Sequence, residues 1–128
     1  MKYVSGRFVV LPVFVVVMIM LTLFVSSADA DSKKNFARSC AKCHGIDGNP
    51  TKRGKSLGAK NFRKVDWQKS ITDKEMLNSI ANGKNKMPSW KKSYNAEEIK
   101  ELIHYVRVLV PSGQRKKMPK NVQSLHYK

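Results

Sequence analysis

Five consecutive residues, Cys40-Ala41-Lys42-Cys43-His44, hold the chain's most specific chemistry. Two cysteines three apart lie on one side of a helical turn. Both sulfurs can therefore reach the two vinyl groups along one edge of a haem. Two thioether bonds would pin the ring against the backbone. The histidine that follows is then placed under the iron, where an imidazole nitrogen becomes the proximal ligand. Other uses of the same residues fit less well. A thioredoxin-like redox pair needs a βαβ context, and nothing in the chain resembles a strand ladder. A zinc site takes four protein ligands. Beyond Cys40, Cys43 and His44 only His104 and His126 remain, and neither has a spaced partner. A disulfide across so short a loop would stabilise little. The five residues read as the attachment site of one covalent haem c.

The elements that must position this site are helical. Asp31 to Ser39 reads as a short helix, with Phe36, Ala37 and Cys40 on one face. Residues 45–70 are rich in Gly, Asn, Pro and Lys without a sustained period, and read as a long ordered loop. A loop that long in a small domain is explained if it wraps a ligand. A second helix spans Asp73 to Asn82. Thr72 and Glu75 form its capping box, Met76, Leu77, Ile80 and Ala81 make its apolar stripe, and Gly83 stands where a left-handed cap is expected. Asn95 and Glu98 start a third helix, on which Ile99, Leu102, Ile103, Val106 and Val110 recur at helical spacing. Pro111 and Gly113 end it. Residues 112–128, with Arg115, Lys116, Lys117 and Lys120, read as a loosely packed or extended basic tail. The expected fold class is all-α.

The leader points to export. Lys2 and Arg7 precede an apolar run from Phe8 to Val25, broken only by Pro12 and Thr22, and Ala28-Asp29-Ala30 then offers a cleavage site. Residues 1–30 are thus a signal peptide or, since the run approaches the ~20 residues that span a bilayer, an uncleaved N-terminal anchor. The basic domain lies outside the cytoplasm in either case, in a periplasmic or equivalent compartment. The 128 residues suit one small domain, and a single long apolar run excludes a membrane transporter. Of 53 hydrophobic residues, 21 fall within positions 1–30, leaving 32 for the other 98. A core that lean is marginal. A covalently held haem would supply the missing centre, so without it residues 31–128 are expected to be largely unfolded. From Asp31 onward, 23 Lys and Arg face 8 Asp and Glu, a net of +15. Export argues against nucleic acid as the partner. Acidic proteins or an anionic membrane surface suit the charge better.

The chain resembles the class I c-type cytochromes. The resemblance covers Lys33 to Val110 and rests on an ordered set of features. They are Phe36 four residues before the first cysteine, Cys40-Ala41-Lys42-Cys43-His44-Gly45, a Gly-rich loop, a middle helix ending near Gly83, Lys86-Met87-Pro88-Ser89-Trp90, and a last helix carrying Tyr105-Val106-Arg107. It implies a cytochrome c-like fold, three main helices wrapped around one haem, over residues 31–111. Phe36 and Tyr105 match the aromatic positions where the first and last helices cross. The resemblance also places the distal iron ligand at Met87, with Pro88 biasing it toward an extended backbone. His104, Met118 or an open sixth position are the alternatives. Met76, in a helical stripe, reads as core, and Met118 as part of a solvated tail. The second nitrogen of His44 is expected to donate to a carbonyl in the following loop. Pro50 and the Lys55–Gly58 stretch are counterparts there, with no residue assigned. The indole N–H of Trp67 or Trp90 suits a haem propionate, although either ring could equally be core.

The function implied is that of a periplasmic, mono-haem, monomeric electron carrier between a redox donor and acceptor, with no catalytic residues. Lys42, inside the motif, and Lys84, Lys86, Lys91 and Lys92, flanking Met87, are expected to ring the exposed haem edge and to steer acidic docking surfaces.

Overall fold

A computed structural model describes residues 28–123. The leader up to residue 27 and the end of the tail from residue 124 lie outside the described residues. The order is α1 (Ala28–Ser39), α2 (Ala41–His44), α3 (Lys52–Ser56), α4 (Val65–Ser70), α5 (Asp73–Asn82), α6 (Ala96–Val108), a 3₁₀ helix (Ser112–Lys117) and α7 (Lys120–Gln123). Among the described residues there is no strand, only an isolated bridge between Lys84 and Met87. No helix among them is long and apolar enough to cross a membrane.

The two best-signalled helices form as their caps dictate. The Thr72 hydroxyl accepts from the Glu75 N–H, and the Glu75 carboxylate accepts from the Thr72 N–H. Asn95 and Glu98 repeat the arrangement at the start of α6. Each box satisfies orphan N–H groups that an uncapped helix start leaves open. Gly83 has the positive φ expected after α5, but its φ of 80° with ψ of 164° is not the left-handed helical cap. A β-carbon there would lie 2.7 Å from the Met87 carbonyl oxygen and 3.0 Å from the Ser89 nitrogen. Glycine at 83 thus lets the Met87-Pro88-Ser89 segment fold back onto the end of α5.

α1 packs on α6. Phe36, fully buried, lies 4.9 Å from the Tyr105 ring centre, and Tyr94, Ile99, Leu102, Ile103 and Val106 complete the surrounding core. The packed face of α1 is Ser32 and Phe36, continued by Cys40 just past its end, and Ala37 is exposed rather than part of it. α1 already includes Ala28, three residues before the expected Asp31.

Two stretches differ from expectation. The 45–70 segment is not one loop, because α3 and α4 lie within it. Helices of five and six residues are too short to print a period on the sequence. Up to Gln123, the tail is neither extended nor loosely packed. Met118 and Val122 are buried with Val110 in a small cluster, with Val65 of α4 against it. Arg115 fixes the segment by donating to the Val108 and Val110 carbonyls at the end of α6, at 2.7 and 3.1 Å. Orphan carbonyls at a helix C-terminus attract such a cation. Met118 is therefore a packed side chain and not a solvated one.

Candidate haem-attachment site

The motif sits where α1 passes into α2. The Cys43 and His44 N–H groups both donate to the Cys40 carbonyl, at 3.1 and 3.0 Å, so one turn gathers all three side chains on a short arc. The two thiols are not joined to each other, and both are partly buried. Burial, with Cys43 beside it, pushes the Cys40 thiol up to about 12, so it is neutral at physiological pH. Gly45 (φ 72°) ends the turn. A β-carbon at Gly45 would strike the Asn49 carbonyl, and a β-carbon at Gly54 the Cys43 carbonyl. Glycine at both positions lets the following segment close over the motif. Thr51 locks that closure. Its hydroxyl donates to the Lys42 carbonyl at 3.0 Å, and its N–H to the Cys43 carbonyl at 3.0 Å.

His44 is held by two residues that sequence reasoning did not single out. Its Nδ1 is 3.3 Å from the Lys60 carbonyl oxygen, and its ring stacks on Phe62 with centroids 4.3 Å apart and planes 14° from parallel. The acceptor expected in the loop after the motif is therefore a backbone carbonyl at Lys60, two residues beyond the Lys55–Gly58 stretch. Burial lowers the His44 pKa, and the Lys60 carbonyl opposes that by favouring the protonated ring. With Nδ1 directed at a carbonyl, Nε2 is the nitrogen left for a metal.

Met87 is built separately, on the loop between α5 and α6. Its N–H donates to the Lys84 carbonyl, and its carbonyl accepts from the Lys84 N–H, at 3.0 and 3.1 Å. Asn85, at φ 55°, makes that tight turn. Bonds from the Ser89 hydroxyl to the Ala81 carbonyl (2.6 Å) and from the Trp90 N–H to the Ile80 carbonyl (3.0 Å) tie the loop to α5. The Met87 side chain is half-buried, whereas Met76 is in the core as its spacing suggests. Trp67 and Trp90 are both partly buried against the core. Trp67 also borders a cavity of about 460 Å³ lined by Pro50, Gly58, Ala59, Asn61 and the lysines 55, 60 and 64. Lys42, Lys84, Lys86, Lys91 and Lys92 are all exposed.

This donor set fits a covalently attached haem. Two unpaired thiols stand one turn apart, an imidazole presents one free nitrogen beside them, and a thioether stands on a fixed loop. Comparison with known proteins agrees. A family described as cytochrome c oxidase, cbb3-type, subunit III matches residues 27–106. A cytochrome c6-like protein of Nostoc sp. is 29% identical over 107 residues, covering 80% of this chain and 94% of that protein. Cytochrome c6 of Cladophora glomerata is 31% identical over 77 residues, 60% of this chain and 84% of that one. FixP, a cbb3-type oxidase subunit of Azorhizobium caulinodans, is 35% identical over 75 residues, which are only 25% of its length. Among solved structures, the KustC0563 c-type cytochrome superposes with a TM-score of 0.60 at 34% identity, covering 62% of this chain and 98% of that one. The chain belongs to the class I c-type cytochromes, within the family named for the cbb3-type oxidase subunit. It is accordingly a haem-containing electron carrier that meets redox partners, with the all-α cytochrome c-like fold.

Proposed function

We propose that this chain is an exported one-electron carrier with a single haem c, bound through Cys40 and Cys43, whose iron is held between His44 and Met87. When bound, the haem supplies an Fe(III)/Fe(II) couple. The observation that carries the reading is the paired fixation of the two ligand positions. His44 is set by the Lys60 carbonyl and the Phe62 ring, and Met87 by its reciprocal bonds with Lys84. Ligands that barely move between oxidation states suit electron transfer, and a thioether favours the reduced iron. Residues 1–30 act as a signal peptide or anchor that delivers residues 31–128 to the periplasm. There the basic surface receives acidic redox partners, and the protein works as a monomer.

A reduced-minus-oxidised spectrum of protein made in a host competent in haem attachment, with a haem stain after denaturing electrophoresis, tests attachment and ligation together. The expected results are a stained band of one haem per chain, a methionine–iron charge-transfer band when oxidised, and no CO binding when reduced. Met87→Ala should lose the charge-transfer band and gain CO binding. A colourless protein would overturn haem attachment. A coloured protein that binds CO as wild type would overturn methionine ligation.

A further inference from the structure

Gln68 and Arg107 form a buried polar strut whose inner end grips the segment that holds His44. Residues 60–62 lie in no helix, yet they supply both restraints on the His44 ring. Something must hold them in turn. The Phe62 N–H donates to the Gly48 carbonyl at 2.9 Å, and the Phe62 carbonyl accepts from Gln68 Nε2 at 2.7 Å. Gln68 is 1% exposed and every polar atom of its amide is engaged. Nε2 also donates to the Val106 carbonyl at 2.9 Å, and Oε1 accepts from Arg107 Nη1 at 2.9 Å. That pattern admits only one orientation of the amide. Arg107 is 7% exposed. It donates further to the Gln68 and Ile71 carbonyls and, through Nε and Nη2, to the Asp73 carboxylate at 2.9 and 2.7 Å.

A leucine at 68 would fill the same volume without the desolvation that a buried amide and guanidinium carry. What the polar pair adds is direction, because hydrogen bonds fix where the Phe62 backbone lies and packing alone does not. We infer that Gln68, held by Arg107, is a positioning residue that sets the plane of the His44 imidazole through Phe62 and the Lys60 carbonyl. This rests on His44 being the iron ligand.

The test is proton NMR of the oxidised holoprotein, whose hyperfine shifts report the plane of the axial imidazole, together with exchange of the His44 Nδ1 proton. In Gln68→Leu the shift pattern should redistribute, and that exchange should accelerate about tenfold or more. Asp73→Asn, at the 60% exposed end of the strut, should move both readouts in the same direction by less. Val110→Ala, in the small cluster with Met118 and Val122, should lose thermal stability and move neither. Unchanged readouts in folded Gln68→Leu, or equal changes in Val110→Ala, would overturn the inference. Should Gln68→Leu fail to fold, Asp73→Asn decides, and wild-type readouts there would overturn it. A wild-type spectrum with no hyperfine-shifted imidazole from His44 would instead sink the ligation reading, and this one with it.

Discussion

A β-carbon at position 54 would lie 1.8 Å from the Cys43 carbonyl oxygen and 2.7 Å from the carbon behind it. Gly54 is in α3 and has no positive φ, so propensity alone would favour alanine there by up to about 1 kcal/mol. The contact should win, because the obstacle is backbone of the Cys40–His44 turn and cannot rotate away as a flexible side chain could. α3 would have to retreat, and the bonds from Thr51 to the Lys42 and Cys43 carbonyls would stretch. Overpacking of this kind costs about 1–3 kcal/mol. Gly54→Ala is therefore expected to lower the stability of the holoprotein by up to about 2 kcal/mol once the propensity gain is subtracted. At Gly113 a β-carbon meets nothing within 4 Å and φ is ordinary. Gly113→Ala should stay within about 0.5 kcal/mol of wild type. Thermal melts of the two variants decide the matter, and equal melting temperatures would show that α3 can move without loss.

Helix α5 carries a pH dependence of predictable sign. The Thr72 N–H and hydroxyl, both donating to the Glu75 carboxylate, hold its pKa below the ordinary carboxylate value. A folded pKa below the unfolded one means the contribution is present above the ordinary carboxylate range. It is then lost as pH falls through the lowered value. Gln at 75 can keep the shape of the box but carries no charge. The melting temperature of wild type should exceed that of Glu75→Gln near neutrality, and the gap should close on acidification. A gap that stays constant into the acid range would assign the box no titrating component. The capping boxes also show what was legible. α5 and α6 could be bounded from Thr72, Glu75, Asn95 and Glu98 because a cap is a signal within four residues. Cys40, Cys43 and His44 were legible for the same reason, all lying in one turn. α3 and α4 are shorter than two turns, so neither shows a period; α3 is marked only by its Thr51 cap, whose hydroxyl accepts from the Gly54 N–H, and α4 has no side-chain cap at Lys64. Burial of Met118 depends on Val65 and Val110, and the Arg115 cap on carbonyls. His44 likewise leans on a carbonyl at Lys60. A backbone acceptor has no residue type to read.

At the scale of the whole molecule the formal charge of +16 raises the question of whether the field or its arrangement matters. A uniformly positive body attracts any acidic partner. A ring of lysines around the exit of the electron also orients that partner, and so raises the fraction of encounters that transfer. Lys42, Lys84, Lys86, Lys91 and Lys92 are exposed, and so are Lys33 and Lys34 on α1. The Debye length is about 8 Å at physiological ionic strength, so either kind of attraction weakens as salt is added. Salt dependence alone cannot separate them. Two double variants of equal net charge can. Lys86→Glu with Lys92→Glu reverses charge beside Met87, and Lys33→Glu with Lys34→Glu reverses the same amount on α1. With an acidic redox partner at low salt, the first pair should slow bimolecular electron transfer about tenfold more than the second, and the difference should vanish at about 1 M salt as the Debye length falls to about 3 Å. Equal slowing by the two pairs would mean that net charge alone steers this carrier and that the Met87 loop is not its docking face.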